Sequence, residues 1–180
     1  NLEIDFENKF TNYWNLGVQV EINPETYVDD DIYRDSRAFI IKDEAWRALN
    51  IWFSTDQRKK YIIRPFYKLN VGDGIANNSR GDQTEIGVRL MLKPTNNISF
   101  SINSSIERRP GFMQWVDVVD GSDGRFSDSD GSYDIVYAKT KRSQANTKLR
   151  MNIAFNSRMT FEAFYQPFNV DMNYEDYYRL

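Results

Sequence analysis

Phe10-Thr-Asn-Tyr-Trp-Asn-Leu-Gly-Val-Gln-Val-Glu-Ile22 is the stretch on which the fold class turns. Its even positions read Phe10, Asn12, Trp14, Leu16, Val18, Val20 and Ile22, and the odd positions between them read Thr11, Tyr13, Asn15, Gly17, Gln19 and Glu21. Side chains on a strand alternate between two faces, whereas a helix repeats every 3.6 residues. An apolar row and a polar row separated by period two therefore predict a β-strand.

The same signature recurs down the chain. Tyr61, Ile63, Pro65, Tyr67, Leu69 and Val71 alternate with Lys60, Arg64, Lys68 and Asn70. Thr84, Ile86, Val88, Leu90 and Leu92 alternate with Glu85, Arg89 and Lys93. Ile98, Phe100, Ile102 and Ile106 alternate with Asn97, Ser99, Ser101, Asn103 and Ser105, and Leu149, Met151, Ile153 and Phe155 with Lys148, Arg150 and Asn152. Phe161, Ala163 and Tyr165 share one face of a last strand that Phe164 and Phe168 blur. Leu49, Ile51 and Phe53 give a weaker pattern because Trp52 falls on the other side. Pro65 lacks a ladder donor and is expected at a bulge or a sheet edge.

Composition narrows the class. The 180 residues are 15% aromatic, with 11 Tyr and 12 Phe, as β-rich chains favour. Mean hydropathy is −0.65 and no apolar run reaches the ~18 residues of a transmembrane helix. Barrel strands stay hydrophilic on average, so membrane insertion as strands remains open. A net charge of −3 and a sequence pI of about 5.1 give a nucleic-acid partner no electrostatic support. With no Cys and no His, disulfide scaffolds and the zinc, Cys-nucleophile and Ser-His-Asp chemistries that use those side chains are excluded.

Connections are of two kinds that alternate. Short turns are expected at Glu7-Asn-Lys9, Asp56-Gln-Arg58, Lys93-Pro-Thr-Asn96 and Asn156-Ser-Arg158, which are rich in turn formers. Long loops are expected at about 23–45, 72–82 and 108–134, the last holding a short strand pair near Trp115–Val119 and Ile135–Tyr137. A meander would then gather all short turns at one end, as outer-membrane barrels do. Many strands approach ten residues, near the ~9–11 that span a bilayer at a tilt.

The resulting expectation is an all-β, antiparallel, up-and-down transmembrane β-barrel of about eight long strands, forming one domain over 1–180. Glu21, Arg64, Lys68, Glu85, Arg89, Lys148 and Arg150 are the lumen-facing candidates. Leu16, Val18, Val20, Ile63, Ile86, Val88, Leu90, Phe100, Ile102, Met151 and Ile153 are the lipid-facing ones. Tyr13, Trp14, Trp46, Trp52 and Tyr61, near strand ends, are candidates for an interfacial aromatic girdle. Asp120, Asp123, Asp128, Asp130 and Asp134 are weak Ca²⁺ candidates, their spacing lacking the bidentate Glu of an EF-hand. Gly72-Asp-Gly74 is a turn and not a phosphate loop, since no Gly-Lys-Ser/Thr follows. No enzyme activity, catalytic residue or cofactor is expected.

Phe10-Thr-Asn-Tyr-Trp-Asn-Leu16, Ser54-Thr-Asp-Gln-Arg-Lys-Lys60, Tyr137-Ala-Lys139 and Phe161-Glu-Ala-Phe-Tyr-Gln-Pro-Phe168 carry a resemblance. In this order they resemble the uncharacterised C-terminal β-barrel domain that follows a family-9-like carbohydrate-binding domain in Bacteroidetes-type outer-membrane proteins. The resemblance implies a bacterial outer-membrane location and a barrel larger than the strands present, so the chain is expected to be a portion of a longer protein. It also implies a transport pore, or a membrane anchor for a carbohydrate-binding-like domain. The partners so implied are outer-membrane lipid, saccharide through the missing domain, and other envelope subunits. It transfers no catalytic residues. The alternatives are a soluble ligand-binding β-barrel or sandwich, in which the apolar faces turn inward, and a non-channel subunit of an envelope assembly. Alternation alone cannot say which face is inside.

Overall fold

The computed structural model describes residues 1–28, 41–43, 45–72, 82–119 and 134–179. Among them every regular element is a strand: β1 (Leu2–Lys9), β2 (Asn15–Asn23), β3 (Thr26–Val28), β4 (Ile41–Asp43), β5 (Trp46–Ser54), β6 (Tyr61–Gly72), β7 (Gln83–Thr95), β8 (Ile98–Val119), β9 (Asp134–Asn156), β10 (Met159–Tyr165) and β11 (Phe168–Arg179). Short β3 and β4 pair with each other within the first long connection. The other nine form one antiparallel sheet in the order β1-β2-β5-β6-β7-β8-β9-β10, with β11 also on β9. The sheet is open, with β1 at one edge and β10 and β11 at the other.

β10 and β11 behave as one stave. Tyr165 faces Leu149 and Phe168 faces Asn146, so the register against β9 runs through the break without a slip. Pro167 interrupts the strand because it has no N–H, yet its carbonyl accepts from Thr147 N at 3.1 Å. Gln166 Nε2 adds a bond to Asn146 Oδ1 at 3.0 Å. The sheet is therefore a meander of eight staves.

The four tight turns share one local device, in which a side-chain oxygen accepts from the backbone N–H two residues on. Asn12 does so for Trp14 (3.1 Å), Asp56 for Arg58 (3.0 Å), Thr95 for Asn97 (3.3 Å) and Asn156 for Arg158 (2.8 Å). All four lie at one end of the meander and the long connections lie at the other, as expected.

The first turn is displaced from its expected place. Glu7–Lys9 belongs to β1, and the chain reverses at Phe10–Trp14, where Phe10 O accepts from Tyr13 N at 2.9 Å and Trp14 O from Phe10 N at 2.8 Å. Tyr13 takes a left-handed φ of 64°. The period-two pattern thus outran its strand by one turn, because a turn with its own side-chain hydrogen bonds needs no break in alternation. Pro65 is neither at a bulge nor at an edge. It pairs with Val88 in unbroken register inside β6, and its missing donor appears on the β5 side, where pairing stops at Trp52 opposite Phe66. Thr55 and Ile63 close the gap, with Thr55 N donating to Ile63 O and Ile63 N to Thr55 Oγ1, each at 3.0 Å.

β8 and β9 are the longest strands, at 22 and 23 residues. The strand pair expected inside a loop at 108–134 is their continuation past two register shifts, at Arg109/Phe112 and Trp115/Asp117, with Trp115 opposite Tyr137 and Val119 opposite Asp134. The connection between them narrows to 120–133.

Candidate functional site

Register decides what alternation alone leaves open, namely which rows of different strands share a side. Following the pairs across the sheet, Ile4 faces Val20, Val20 faces Leu49 and Leu49 faces Leu69. Lower down, Tyr61 faces Leu92, Leu92 faces Phe100, Phe100 faces Met151 and Met151 faces Ala163. All eleven residues expected on an apolar face lie on this side, and all seven expected on a polar face lie on the other. The site is therefore a sheet with two chemically different faces.

The apolar face carries no Asp, Glu, Lys or Arg within its band, and Arg47 and Arg108 mark its upper border. Its side chains are the more exposed ones: Phe6 is 57% accessible, Ile63 47% and Ile86 60%. Among the described residues nothing packs over them, and Ala138 is the one fully buried apolar side chain. The band is also oblique. Its centre on β1, Ile4, registers with Leu69 of β6, while its centre on β10, Ala163, registers with Tyr61. Those two β6 positions are eight residues apart, across seven strand-to-strand steps. Above Ile106 and Ala145 the same face turns polar, with Arg108, Ser143, Lys141, Asp171 and Asn173. The last stave looked blurred in the sequence because Phe164 and Phe168 are aromatics on the polar side, opposite Arg150 and Asn146.

The polar face is divided by charge. Glu3, Asp5, Glu7 and Glu21 lie on β1 and β2, where Gln19 Nε2 donates to Glu3 Oε1 at 2.6 Å and Asn50 Nδ2 to Gln19 Oε1 at 3.3 Å. Farther across, Lys68 Nζ pairs with Glu85 at 3.2 Å. Glu107 takes Arg109 Nε at 3.1 Å and also binds Arg142 from the next strand, and Arg109 reaches Gln83 Oε1 at 3.0 Å. Glu107 and Arg109 were missed in the sequence because β8 was expected to end near Ile106, and Arg142 because the β9 pattern was read only from Lys148 onward. The continued alternation through Ser105, Glu107 and Arg109 was the signal.

Trp52 does not join an aromatic girdle. It lies on the polar face opposite Gly17, and a Cβ on Gly17 would stand 2.1 Å from its ring. Phe66 lies likewise across Gly87, with a Cβ there 2.5 Å from Cζ. Each aromatic covers backbone that a glycine leaves bare, a known device for fixing cross-strand register. Tyr13, Trp14 and Tyr61 do gather at the tight-turn end, at 43%, 41% and 69% exposure, whereas Trp46 starts β5 at the opposite end. Trp14 meets Phe53 edge-on at 5.2 Å. Arg58 stacks 3.2 Å over Tyr13 and chelates Asp56 through Nε and Nη2 at 2.9 Å each. That guanidinium holds the Asp56 carboxyl down to about 2, and the carboxylate in turn raises Arg58.

Of the weak Ca²⁺ candidates, Asp120, Asp123, Asp128 and Asp130 lie outside the described residues, and Asp134 opens β9. No cluster of metal-ligating side chains occurs among the described residues.

These features define an antiparallel meander sheet, exposed and apolar on one side and charged on the other. The chain belongs to the family described as a domain of unknown function (DUF5916), whose model matches residues 1–180. No curated protein and no solved structure matches it.

Proposed function

We propose that this chain is a run of staves of a transmembrane β-barrel in the bacterial outer membrane, with the apolar face toward lipid and the charged face toward the lumen. The obliquity of the apolar band carries the reading. An offset of eight residues over seven steps is about 1.1 residues per strand. With a rise of ~3.3 Å and a strand spacing of ~4.8 Å, this corresponds to a tilt of about 38°. Barrel strands tilt by ~35–45°. The band runs from Ile98 to Ile106 on β8 and from Tyr61 to Val71 on β6, so at that tilt it is about 21–26 Å tall, against ~25 Å for outer-membrane barrels.

Two further observations support this. Apolar side chains such as Phe6, Ile63 and Ile86 stand exposed on one side, while on the other Glu107 and Glu85 are only 15% and 18% accessible beneath longer cationic side chains, Lys68, Arg89, Lys148 and Arg150, that are themselves exposed. A soluble sandwich or barrel orders them the other way, and needs a covering layer that the described residues do not supply. The open edges at β1 and at β10–β11 fit a portion of a larger barrel, because every backbone group in lipid must find a partner.

Within this reading the domain is a transport pore or the membrane anchor of a carbohydrate-binding-like domain. The lumen charges favour a water-filled or plugged interior over an apolar one. The test is fractionation and reconstitution of the full-length protein. It is expected in the outer membrane and in need of detergent, and a monodisperse monomer purified without detergent refutes the proposal. Conductance in planar bilayers separates pore from anchor.

A further inference from the structure

We infer that the polar face of β6–β9 holds a binding site for a small phosphate-type oxyanion, centred on Arg89, Asn103 and Lys148, with Arg64 in the same row. These four are directly opposed neighbours on consecutive strands, since Arg64 faces Arg89, Arg89 faces Asn103 and Asn103 faces Lys148. Arg150 stands one row below, opposite Ser101.

Like charges in directly opposed positions destabilise a sheet unless a counter-charge joins them. Among the described residues no side chain supplies it. Glu85, the nearest carboxylate, is engaged by Lys68 at 3.2 Å, and Glu107 by Arg109 and Arg142. Among the described residues the Arg64, Arg89 and Lys148 side chains make no ion pair or hydrogen bond. Lys68 and Glu85 neutralise each other, which leaves Arg64, Arg89 and Lys148 in one row with no carboxylate directly opposite any of them.

Lys68, Arg89 and Lys148 border a recess of about 220 Å³ that Glu85, Asn103, Ser105 and Asn146 also line, with Arg64 and Arg150 outside its wall. Phe66, laid over Gly87, also lines it. Asn146 Oδ1 is occupied by Gln166, which leaves the Asn146 amide N–H groups as donors toward the recess. A guanidinium fork, an ammonium and two carboxamides converging on one hollow match the charge and the several acceptor oxygens of a phosphate group. The site needs only that the polar face meet water, so it stands whether or not the other face meets lipid.

The test is calorimetric titration of tripolyphosphate into the chain folded in a non-ionic detergent, with far-UV circular dichroism as the control for folding. Wild type is expected to bind. R89Q and K148Q should each weaken binding at least tenfold, E85Q should tighten it by freeing Lys68, and R158Q, at a distant turn, should leave it unchanged. R89Q removes a like-charge contact, so its fold should persist. For a readout without variants, tripolyphosphate should raise the wild-type unfolding midpoint in proportion to the logarithm of its concentration. Absence of heat with wild type overturns the inference, as does wild-type affinity in folded R89Q and K148Q. Binding confined to micelles doped with phosphatidylglycerol, with none to tripolyphosphate, also overturns it by assigning the cations to a lipid headgroup.

Discussion

Replacing Ile102 by Arg tests the apolar face at its most exacting point. Ile102 lies midway along the β8 band, four residues from Ile98 and four from Ile106. At ~3.3 Å per residue and a tilt of about 38°, each rim is about 10 Å away. An Arg on the lipid face costs about 2–4 kcal/mol at the midplane and about 0–1 near an interface. Ile102→Arg should therefore exceed Ile106→Arg by about 2–3 kcal/mol, a ratio of about 30 to 140 in the folding equilibrium. The pair is informative because the two side chains are about equally exposed within the chain, at 39% and 48%. Loss of contacts inside the protein cannot produce such a gap, whereas depth in a bilayer can. The assay is reversible urea unfolding of the protein in large unilamellar vesicles, followed by tryptophan fluorescence. Equal costs at the two sites, or a larger cost at Ile106, refute the lipid-facing assignment.

Other outcomes follow from the same geometry. Val18→Arg, in the β2 band, should cost about 2–4 kcal/mol in lipid, and unchanged folding yield in vesicles would contradict that. Gly17→Ala should destabilise by about 1–3 kcal/mol, since the added methyl overlaps the Trp52 ring, and a double-mutant cycle with Trp52→Ala should show strong non-additivity. Glu107→Gln should cost about 1–3 kcal/mol by leaving Arg109 and Arg142 without their shared carboxylate, while additive effects of Glu107→Gln and Arg142→Gln would contradict the shared site. Asp56 has a depressed folded value, so its stabilisation of the β5–β6 turn is fully present above its ordinary value of 3.8 and is lost as the pH falls through about 2. The Asp56 carboxyl carbon shift, read by NMR between pH 1 and 5, should titrate near 2, and Asp56→Asn should abolish the turn's acid sensitivity.

Much of the strand content was legible because period two is a local property. Ile86, Val88 and Leu90 declare a two-faced strand with no help from the rest of the chain. So do the tight turns at Asp56–Arg58 and Asn156–Arg158, whose carboxylate or amide caps act within three residues. The first turn was misplaced because Phe10, Asn12 and Trp14 keep the alternation going through a reversal fixed by their own hydrogen bonds. The extension of β8 through Glu107, Arg109 and beyond was hidden because its outer face becomes polar above Ile106, and an amphipathic criterion stops there.

The sequence by itself determined that the chain is β, that its strands have one apolar and one polar side, and that tight turns alternate with long connections. Only the tertiary structure decided how the rows combine. Register placed the apolar rows of β1 to β10 on one face, slanted them across the hydrogen-bond rows, set Trp52 against Gly17, and brought Arg64, Arg89 and Lys148 into one line. A strand's alternation is intrinsic to its backbone, whereas the slide of one strand against the next is a collective choice, made by turns, bulges and cross-strand contacts acting together.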